Sequence, residues 1–209
     1  MKLLHIDASI TGPGSVSRQL SKAVVDELRR AHPDLQVVRR DLDAEPVPHL
    51  DSTSVGSLRP DLVPTVAAGE AQRSAKVLQE FLDADVIVIG APMYNFSIPS
   101  QLKAWFDRIL VGGKTFRYTE RGPEGLAGGK KVIVAVARGN IYSPGAPAAP
   151  YDFHEPYLRT LFGFIGIGDV AFVRAEGLAI SPAHRQAGID AALASDGEAV
   201  KGAALAAAA

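Results

Sequence analysis

The chain has 209 residues, of which 47% are hydrophobic and 22% are charged, and its formal net charge is −1. This length and composition predict a single globular domain over residues 1–209, and the small net charge gives no reason to expect a nucleic acid or an anionic membrane surface as a partner. The sequence contains no cysteine, no apolar segment of signal-peptide type and no apolar run as long as a membrane span, so we expect a cytoplasmic protein without disulfides or thiolate chemistry.

Short apolar runs rich in β-branched residues predict strands, and apolar residues at helical spacing predict helices between them. In chain order, the predicted strands are residues 3–7, a strand from residue 37, residues 86–89, residues 132–136 and residues 170–173. The predicted helices contain residues 20–28, 71–82, 102–110, 158–165 and 189–193. Strands that alternate with helices predict an α/β fold, a doubly wound parallel sheet with helices on both faces, and five strands fit the flavodoxin-like order better than the six-stranded dinucleotide-binding order.

Glycine and proline mark the predicted connections between these elements. Gly90 and Pro92 are expected to end the third strand, and residues 43–64, with four prolines, are expected to form a long surface connection. Residues 111–129 are rich in glycine and indicate an excursion or a short hairpin, whereas the alanine-rich tail at about 197–209 carries little information.

Three loops follow predicted strands, and parallel strands bring such loops to one edge of the sheet, where open α/β sheets bind ligands. The first loop carries Ser9, Ser15 and Ser17 before a helix, and hydroxyls beside free backbone N–H groups form a natural phosphate site. The three loops together predict a site for a flat ligand with a phosphorylated tail. The second loop contains Met93, Tyr94, Asn95 and Phe96, and the third contains Arg138, Gly139 and Asn140.

Each of these features also has a purely structural interpretation. Ser15 or Ser17 is a suitable helix N-cap, and the aromatic and asparagine residues of the other loops suit packing over the sheet edge or ordinary turns. The five histidines are scattered without the spacing of metal ligands, and we interpret His154 and Glu155 as a solvated loop pair.

Three stretches of the sequence resemble one known family. They are residues 91–109 (APMYNFSIPSQLKAWFDRI), residues 113–131 (GKTFRYTERGPEGLAGGKK) and residues 161–167 (LFGFIGI). Together with the first strand and its serines, these long motifs resemble the FMN-dependent NADH:quinone reductases and NADH-azoreductases over most of the chain. The resemblance implies a flavodoxin-like fold, a homodimer and one FMN per subunit, with NADH as the electron donor and with quinones and azo compounds, which are cleaved to amines, as the acceptors.

The resemblance assigns two sets of residues to the cofactor. In that family a loop serine and a Ser-x-Ser segment hold the FMN phosphate and ribityl chain, and a Met-Tyr-Asn-Phe motif wraps the isoalloxazine ring. The first set corresponds here to Ser9, Ser15, Val16 and Ser17, and the second to Met93, Tyr94, Asn95 and Phe96. Asn95 is also implied to form a hydrogen bond with a substrate oxygen.

A third loop of the family, commonly Ser-Arg-Gly-Gly, contacts the edge of the ring and differs in this chain. It corresponds to Ala137, Arg138, Gly139 and Asn140. A hydroxyl is therefore missing at position 137, and a residue with fewer accessible backbone conformations replaces glycine at position 140. Tyr118 and Phe162 correspond to aromatic residues of the family that form a wall over the ring and that the partner subunit contributes. For Phe162, packing in the core is the alternative interpretation.

The resemblance further implies a ping-pong reaction in which the flavin carries the chemistry, so neither a catalytic side chain nor a metal is expected. The alternatives are a flavodoxin-like one-electron carrier and an FMN-binding regulator without turnover. One-electron carriers usually present a strongly acidic docking face, and the net charge of −1 argues against that class.

Overall fold

The computed structural model of the chain describes residues 1–58, 66 and 68–206. The strands of this described part are β1 (Lys2–Asp7), β2 (Gln36–Asp41), β3 (Val86–Pro92), β4 (Phe116–Thr119), β5 (Gly122–Gly125), β6 (Lys131–Ala137) and β7 (Val170–Ala175). The α-helices are α1 (Val16–Ala31), α2 (Ala68–Asp83), α3 (Ser100–Ile109), α4 (Glu155–Phe164) and α5 (Pro182–Ala206).

Five of the strands form one parallel sheet in the spatial order β2-β1-β3-β6-β7. The predicted α/β fold with a five-stranded flavodoxin-like order is therefore confirmed. The chain runs outward from β1 to β2, then crosses back to β3 on the other side of β1. The carboxyl ends of β1 and β3 meet at this change of direction, which is where doubly wound sheets bind ligands.

The sheet is buried on both faces, which explains why its central strand is an unbroken apolar run. Every residue of β3 is buried. Val86 and Val88 pack in one core with α1 and α5, and Ile87 and Ile89 pack in a second core with α2, α3 and α4. Successive side chains of a strand point to opposite faces, so both faces of β3 require apolar residues.

The expected end of the third strand is confirmed at Pro92, the last residue of β3, but not at Gly90, because the strand continues through it. The structure gives another reason for the glycine. A Cβ atom at position 90 would lie 3.0 Å from Asp7 Oδ1 and 3.1 Å from both Ser17 O and Ser21 Oγ. Gly90 therefore lets the first turn of α1 approach the sheet closely.

Two of the predicted connections can be compared with the structure. The excursion at 111–129 contains a short antiparallel hairpin of β4 and β5, which confirms that prediction. Residues 43–58 contain a single turn of 3-10 helix at Val55–Ser57, and the rest of the predicted surface connection extends into residues 59–65, outside the described part. None of the described helices combines the length and the apolar character needed to cross a membrane. The single domain over residues 1–209 stays a prediction.

Candidate functional site

Three loops meet at the carboxyl edge of the sheet, as the parallel order predicts. We call them the serine loop (residues 8–17), the aromatic turn (residues 93–97) and the third loop (residues 137–140). The hydroxyl oxygens of Ser9 and Tyr94 lie 3.3 Å apart and join the serine loop to the aromatic turn. The amide of Met93 donates a hydrogen bond of 2.9 Å to the carbonyl of Ala137, which joins the aromatic turn to the third loop.

The serine loop presents hydroxyl groups and the start of a long helix in one place. Ser15 is the N-cap of α1 and accepts a hydrogen bond from the Arg18 amide at 3.3 Å, so its predicted structural role is confirmed. Its hydroxyl is also hydrogen-bonded to that of Ser17 at 3.1 Å. The backbone N–H groups of Val16 and Ser17 belong to the first turn of the helix and have no partner within it. Hydroxyls and N–H groups in this arrangement suit a phosphate.

Ser9 and Thr11 extend this set of hydroxyls at the end of β1. Their oxygens lie 3.0 Å apart, and Ser9 is only 1% exposed. The Ser9 carbonyl in turn accepts hydrogen bonds from the guanidinium of Arg18, which forms a fork with Asp41. Hydrogen bonds from Arg18 lower the pKa of Asp41 to about 2. No pattern in the sequence pointed to Arg18 or Thr11, because their contacts depend on how α1 packs on the sheet.

The aromatic turn has an unusual backbone for residues with side chains. Asn95 and Phe96 have φ values of 47° and 72°, in the left-handed region that favours glycine. Two hydrogen bonds between Tyr94 and Ser97, of 2.9 and 3.1 Å, close the turn and hold this conformation. Strained turns of this kind concentrate at ligand-binding sites. The turn leaves the Phe96 side chain 49% exposed.

An apolar groove of about 600 Å³ lies between the aromatic turn and the third loop. This volume is in the range of sites for small organic ligands. The rings of Phe96 and Tyr151 have centroids 6.0 Å apart at its edge. Tyr151 is a residue that the sequence analysis missed, because it follows a proline- and alanine-rich loop without a motif. The groove is lined by Phe96, Asn140, Ile141, Tyr142, Ala146, Pro147, Ala148 and Tyr151.

The third loop offers backbone groups and one exposed amide side chain. Asn140 does not have a left-handed backbone, since Asn95 and Phe96 are the non-glycine residues with positive φ in the described part. The replacement of the family's glycine therefore introduces no strain at position 140. The Asn140 side-chain oxygen accepts a hydrogen bond of 2.8 Å from the Ile141 amide, which stabilises the turn.

Arg138 turns its side chain away from the groove and into the protein. The guanidinium is 1% exposed and forms ion pairs with Asp152 and Glu176 at 3.1 Å and with Glu155 at 3.5 Å. Burial raises the pKa of Glu176, but hydrogen bonds from Ser143, the Tyr142 amide and Arg138 outweigh it and lower that pKa below its usual range. Arg138 can therefore offer a ligand its backbone, while its side chain holds the surrounding loops.

The two predicted wall residues lie in different environments. Phe162 is fully buried and packs against Phe106 with ring centroids 5.3 Å apart, so the structure places it in the core and not on a wall facing a ligand. The reason is its position on α4, one turn after buried Leu158, on the face that packs against the sheet. Tyr118 is 77% exposed on β4 and contacts the ring of Phe116 at 5.6 Å.

His154 and Glu155 do not form the solvated pair that the sequence analysis expected. His154 is fully buried, and neither of its ring nitrogens has a hydrogen-bond partner among the described residues. Burial and the nearby Arg138 lower the pKa of His154 to about 4, and the carboxylates of Asp152 and Glu155 oppose that shift only in part. The imidazole is therefore neutral at pH 7.

The buried imidazole predicts a loss of stability in mild acid. The pKa of His154 is about 4 in the folded state and ~6.5 in the unfolded state, so the unfolded state binds more protons between these values. We expect the free energy of unfolding to fall by about 2 kcal/mol between pH 7 and pH 5. His154→Leu should remove this loss, because the apolar side chain takes up no proton.

Urea denaturation at a series of pH values measures this effect. The matched control is His49→Leu at an exposed position, which should retain the pH dependence of the wild type. If the free energy of unfolding fell equally between pH 7 and pH 5 in the wild type and in His154→Leu, the pH dependence could not be assigned to His154.

Comparisons with known proteins agree with the fold. The family model described as flavodoxin-like fold matches residues 1–198. The chain is 54% identical over 205 residues to the FMN-dependent NADH:quinone oxidoreductase 1 of Xanthomonas axonopodis pv. citri, covering 97% of this chain and 100% of that protein. It is 58% identical over 194 residues to the FMN-dependent NADH:quinone oxidoreductase of Stenotrophomonas maltophilia, covering 93% of each chain.

Solved structures of azoreductases share this fold. The azoreductase from Bacillus anthracis strain Sterne superposes with a TM-score of 0.84 at 34% identity, covering 97% of this chain and 98% of that one. An FMN-dependent NADH-azoreductase from Bacillus anthracis strain Ames Ancestor, solved in complex with FMN, superposes with a TM-score of 0.85 at 29% identity, covering 96% and 97% of the two chains.

Proposed function

Because this chain belongs to the flavodoxin-like family of FMN-dependent NADH:quinone oxidoreductases and azoreductases, we propose that it binds FMN and transfers two electrons from NADH to quinones and aromatic azo compounds. The observation that carries this proposal is the meeting of three loops at one sheet edge. The Ser9–Tyr94 contact joins the serine loop to the aromatic turn, and the hydrogen bond between Met93 and Ala137 joins that turn to the third loop.

The described residues fit FMN at both of its ends. The hydroxyls of Ser9, Ser15 and Ser17 and the N–H groups of the first turn of α1 are suited to the phosphate and the ribityl chain. The groove beside Phe96, with its apolar lining, is suited to a flat ring. In this assignment the residues that hold the cofactor are Ser9, Ser15, Val16, Ser17, Met93, Tyr94, Asn95, Phe96, Ala137, Arg138, Gly139 and Asn140.

When bound, FMN supplies the redox chemistry, by accepting a hydride from NADH and passing two electrons to the acceptor. The protein binds the cofactor and the substrates and orients them relative to each other. In this proposal the exposed Asn95 side chain forms a hydrogen bond with a substrate oxygen, and the closed aromatic turn fixes the backbone that carries it. We further propose that NADH and the acceptor bind in turn beside this groove, in a ping-pong order.

The proposal includes a homodimer in the cytoplasm. Aromatic side chains are exposed around the groove, among them Tyr151 at 57% and Phe153 at 60%. Exposed apolar patches of this kind mark interaction sites. A second copy of the chain would cover them, and the highly exposed Tyr118 of one subunit would then lie over the groove of the other.

Purification and a simple assay test this function. We expect a yellow protein that releases FMN on denaturation, and NADH oxidation that depends on added benzoquinone or methyl red. Parallel lines in double-reciprocal plots at several acceptor concentrations would support the ping-pong order. A colourless protein that cannot be reconstituted with FMN would contradict the proposal. FMN binding without NADH oxidation would instead favour the carrier or the regulator.

A further inference from the structure

We propose that Arg18 is a positioning residue that holds the serine loop in its binding conformation and so sets the affinity of the protein for FMN. This inference rests on the proposed function. The inference rests on the contacts of one peptide group, the one that links Ser9 to Ile10. Both the carbonyl and the amide of this group form hydrogen bonds with side chains.

The first of the two is the carbonyl of Ser9. Arg18 donates two hydrogen bonds to this oxygen, from Nη2 at 2.7 Å and from Nε at 3.2 Å. Arg18 lies at the third position of α1, and its side chain is 15% exposed. The helix that offers its N–H groups to a phosphate thus also holds the loop that carries Ser9.

The second is the amide of Ile10. It donates a hydrogen bond of 3.2 Å to the hydroxyl of Tyr94, which also lies 3.3 Å from the Ser9 hydroxyl. Because Tyr94 belongs to the aromatic turn, the Ser9–Ile10 peptide fixes the position of the serine loop relative to that turn. A ligand that contacts both loops depends on this relative position.

The charge of Arg18 is neutralised within the protein. Asp41 binds the guanidinium in a fork with distances of 2.5 and 2.7 Å, and Asp7 lies 3.6 Å from Nη1. Four of the five N–H donors of Arg18 are therefore used on Asp41 and on the Ser9 carbonyl, and Arg18 acts on a ligand through the loop. A lysine cannot replace it, because a single ammonium does not reproduce the planar fork that reaches both partners.

FMN titration into the apoprotein tests the inference, with fluorescence quenching as the signal. Arg18→Lys is expected to weaken FMN binding by about 10-fold or more, the loss typical of hydrogen bonds to charged groups. The matched control is Arg40→Lys. Arg40 forms a comparable, somewhat more buried fork with Glu80, at 2.7 and 2.9 Å, and no hydrogen bond to the serine loop. Its replacement should change FMN affinity by less than about 2-fold.

A second measurement needs no cofactor. Hydrogen exchange in the apoprotein should show the Ile10 amide exchanging faster in Arg18→Lys than in the wild type, and unchanged in Arg40→Lys. Wild-type FMN affinity in Arg18→Lys, at a thermal stability similar to that of Arg40→Lys, would overturn the inference and leave the proposed function intact. A wild-type protein that binds no FMN would overturn both.

Discussion

Replacement of Arg138 by methionine is expected to lower the free energy of unfolding by about 3–5 kcal/mol, the loss typical of a broken buried ion pair. The variant leaves the carboxylates of Asp152, Glu155 and Glu176 without their shared cation. Glu176 also accepts hydrogen bonds from the Tyr142 amide and the Ser143 hydroxyl, so the groove wall should loosen as well. Urea denaturation at pH 7 measures the loss.

The pH dependence of this loss has a predictable sign. Since Arg138 helps to lower the pKa of Glu176 in the folded state, its contribution is fully present above the unfolded pKa of ~4.5 and is lost as the pH falls from there through the lower folded pKa. The difference in the free energy of unfolding between Arg138→Met and the wild type should therefore become smaller in acid. The matched control is Arg159→Met, which removes a half-exposed partner of Glu155 and should lower stability by no more than about 1 kcal/mol. A loss for Arg138→Met as small as that of the control would refute the prediction.

The double replacement of Ser15 and Ser17 by alanine is expected to weaken FMN binding by roughly 1–3 kcal/mol, which corresponds to about 5- to 150-fold in affinity. Both hydroxyls lie at the start of α1, 3.1 Å apart, where a phosphate would receive hydrogen bonds from them. Titration of the apoprotein with FMN measures the change.

The control for this experiment separates binding from helix capping, because Ser15 is also the N-cap of α1. Ser181 accepts a hydrogen bond from the His184 amide at 3.2 Å at the start of α5, so Ser181→Ala removes a comparable cap outside the three loops. Both variants should lose about 1 kcal/mol of stability or less. FMN affinity at the wild-type level in the double variant would show that the serines serve only as caps.

The sheet and its loops could be predicted because their signals are local. A continuous β-branched run such as residues 86–89 is only compatible with burial on both faces, and alternation of strands with helices then determines a parallel sheet. Parallel strands carry all their following loops to one edge, so the meeting of Ser9 with Tyr94 follows from the strand order.

The features that sequence reasoning missed depend on packing between distant elements. The role of Arg18 requires α1 to lie against the ends of β1 and β2, which no local pattern encodes. The burial of His154 arises from the segment after the third loop folding back over the aromatic turn, where the Phe153 amide meets the Phe96 carbonyl at 3.2 Å. Phe162 is different, because its spacing from Leu158 already indicated the core face of a helix.

The close approach of α1 at Gly90 limits how this pocket can change in evolution or in the laboratory. With 3.0–3.1 Å between a Cβ atom at position 90 and its nearest neighbours, a larger residue has to shift Asp7, Ser17 or Ser21, and the last two belong to the helix that follows the serine loop. Substitution at this position is thus restricted, although no atom of Gly90 needs to touch a ligand. We expect new acceptor specificity to come instead from residues that line the open groove, such as Ile141, Ala146 and Tyr151.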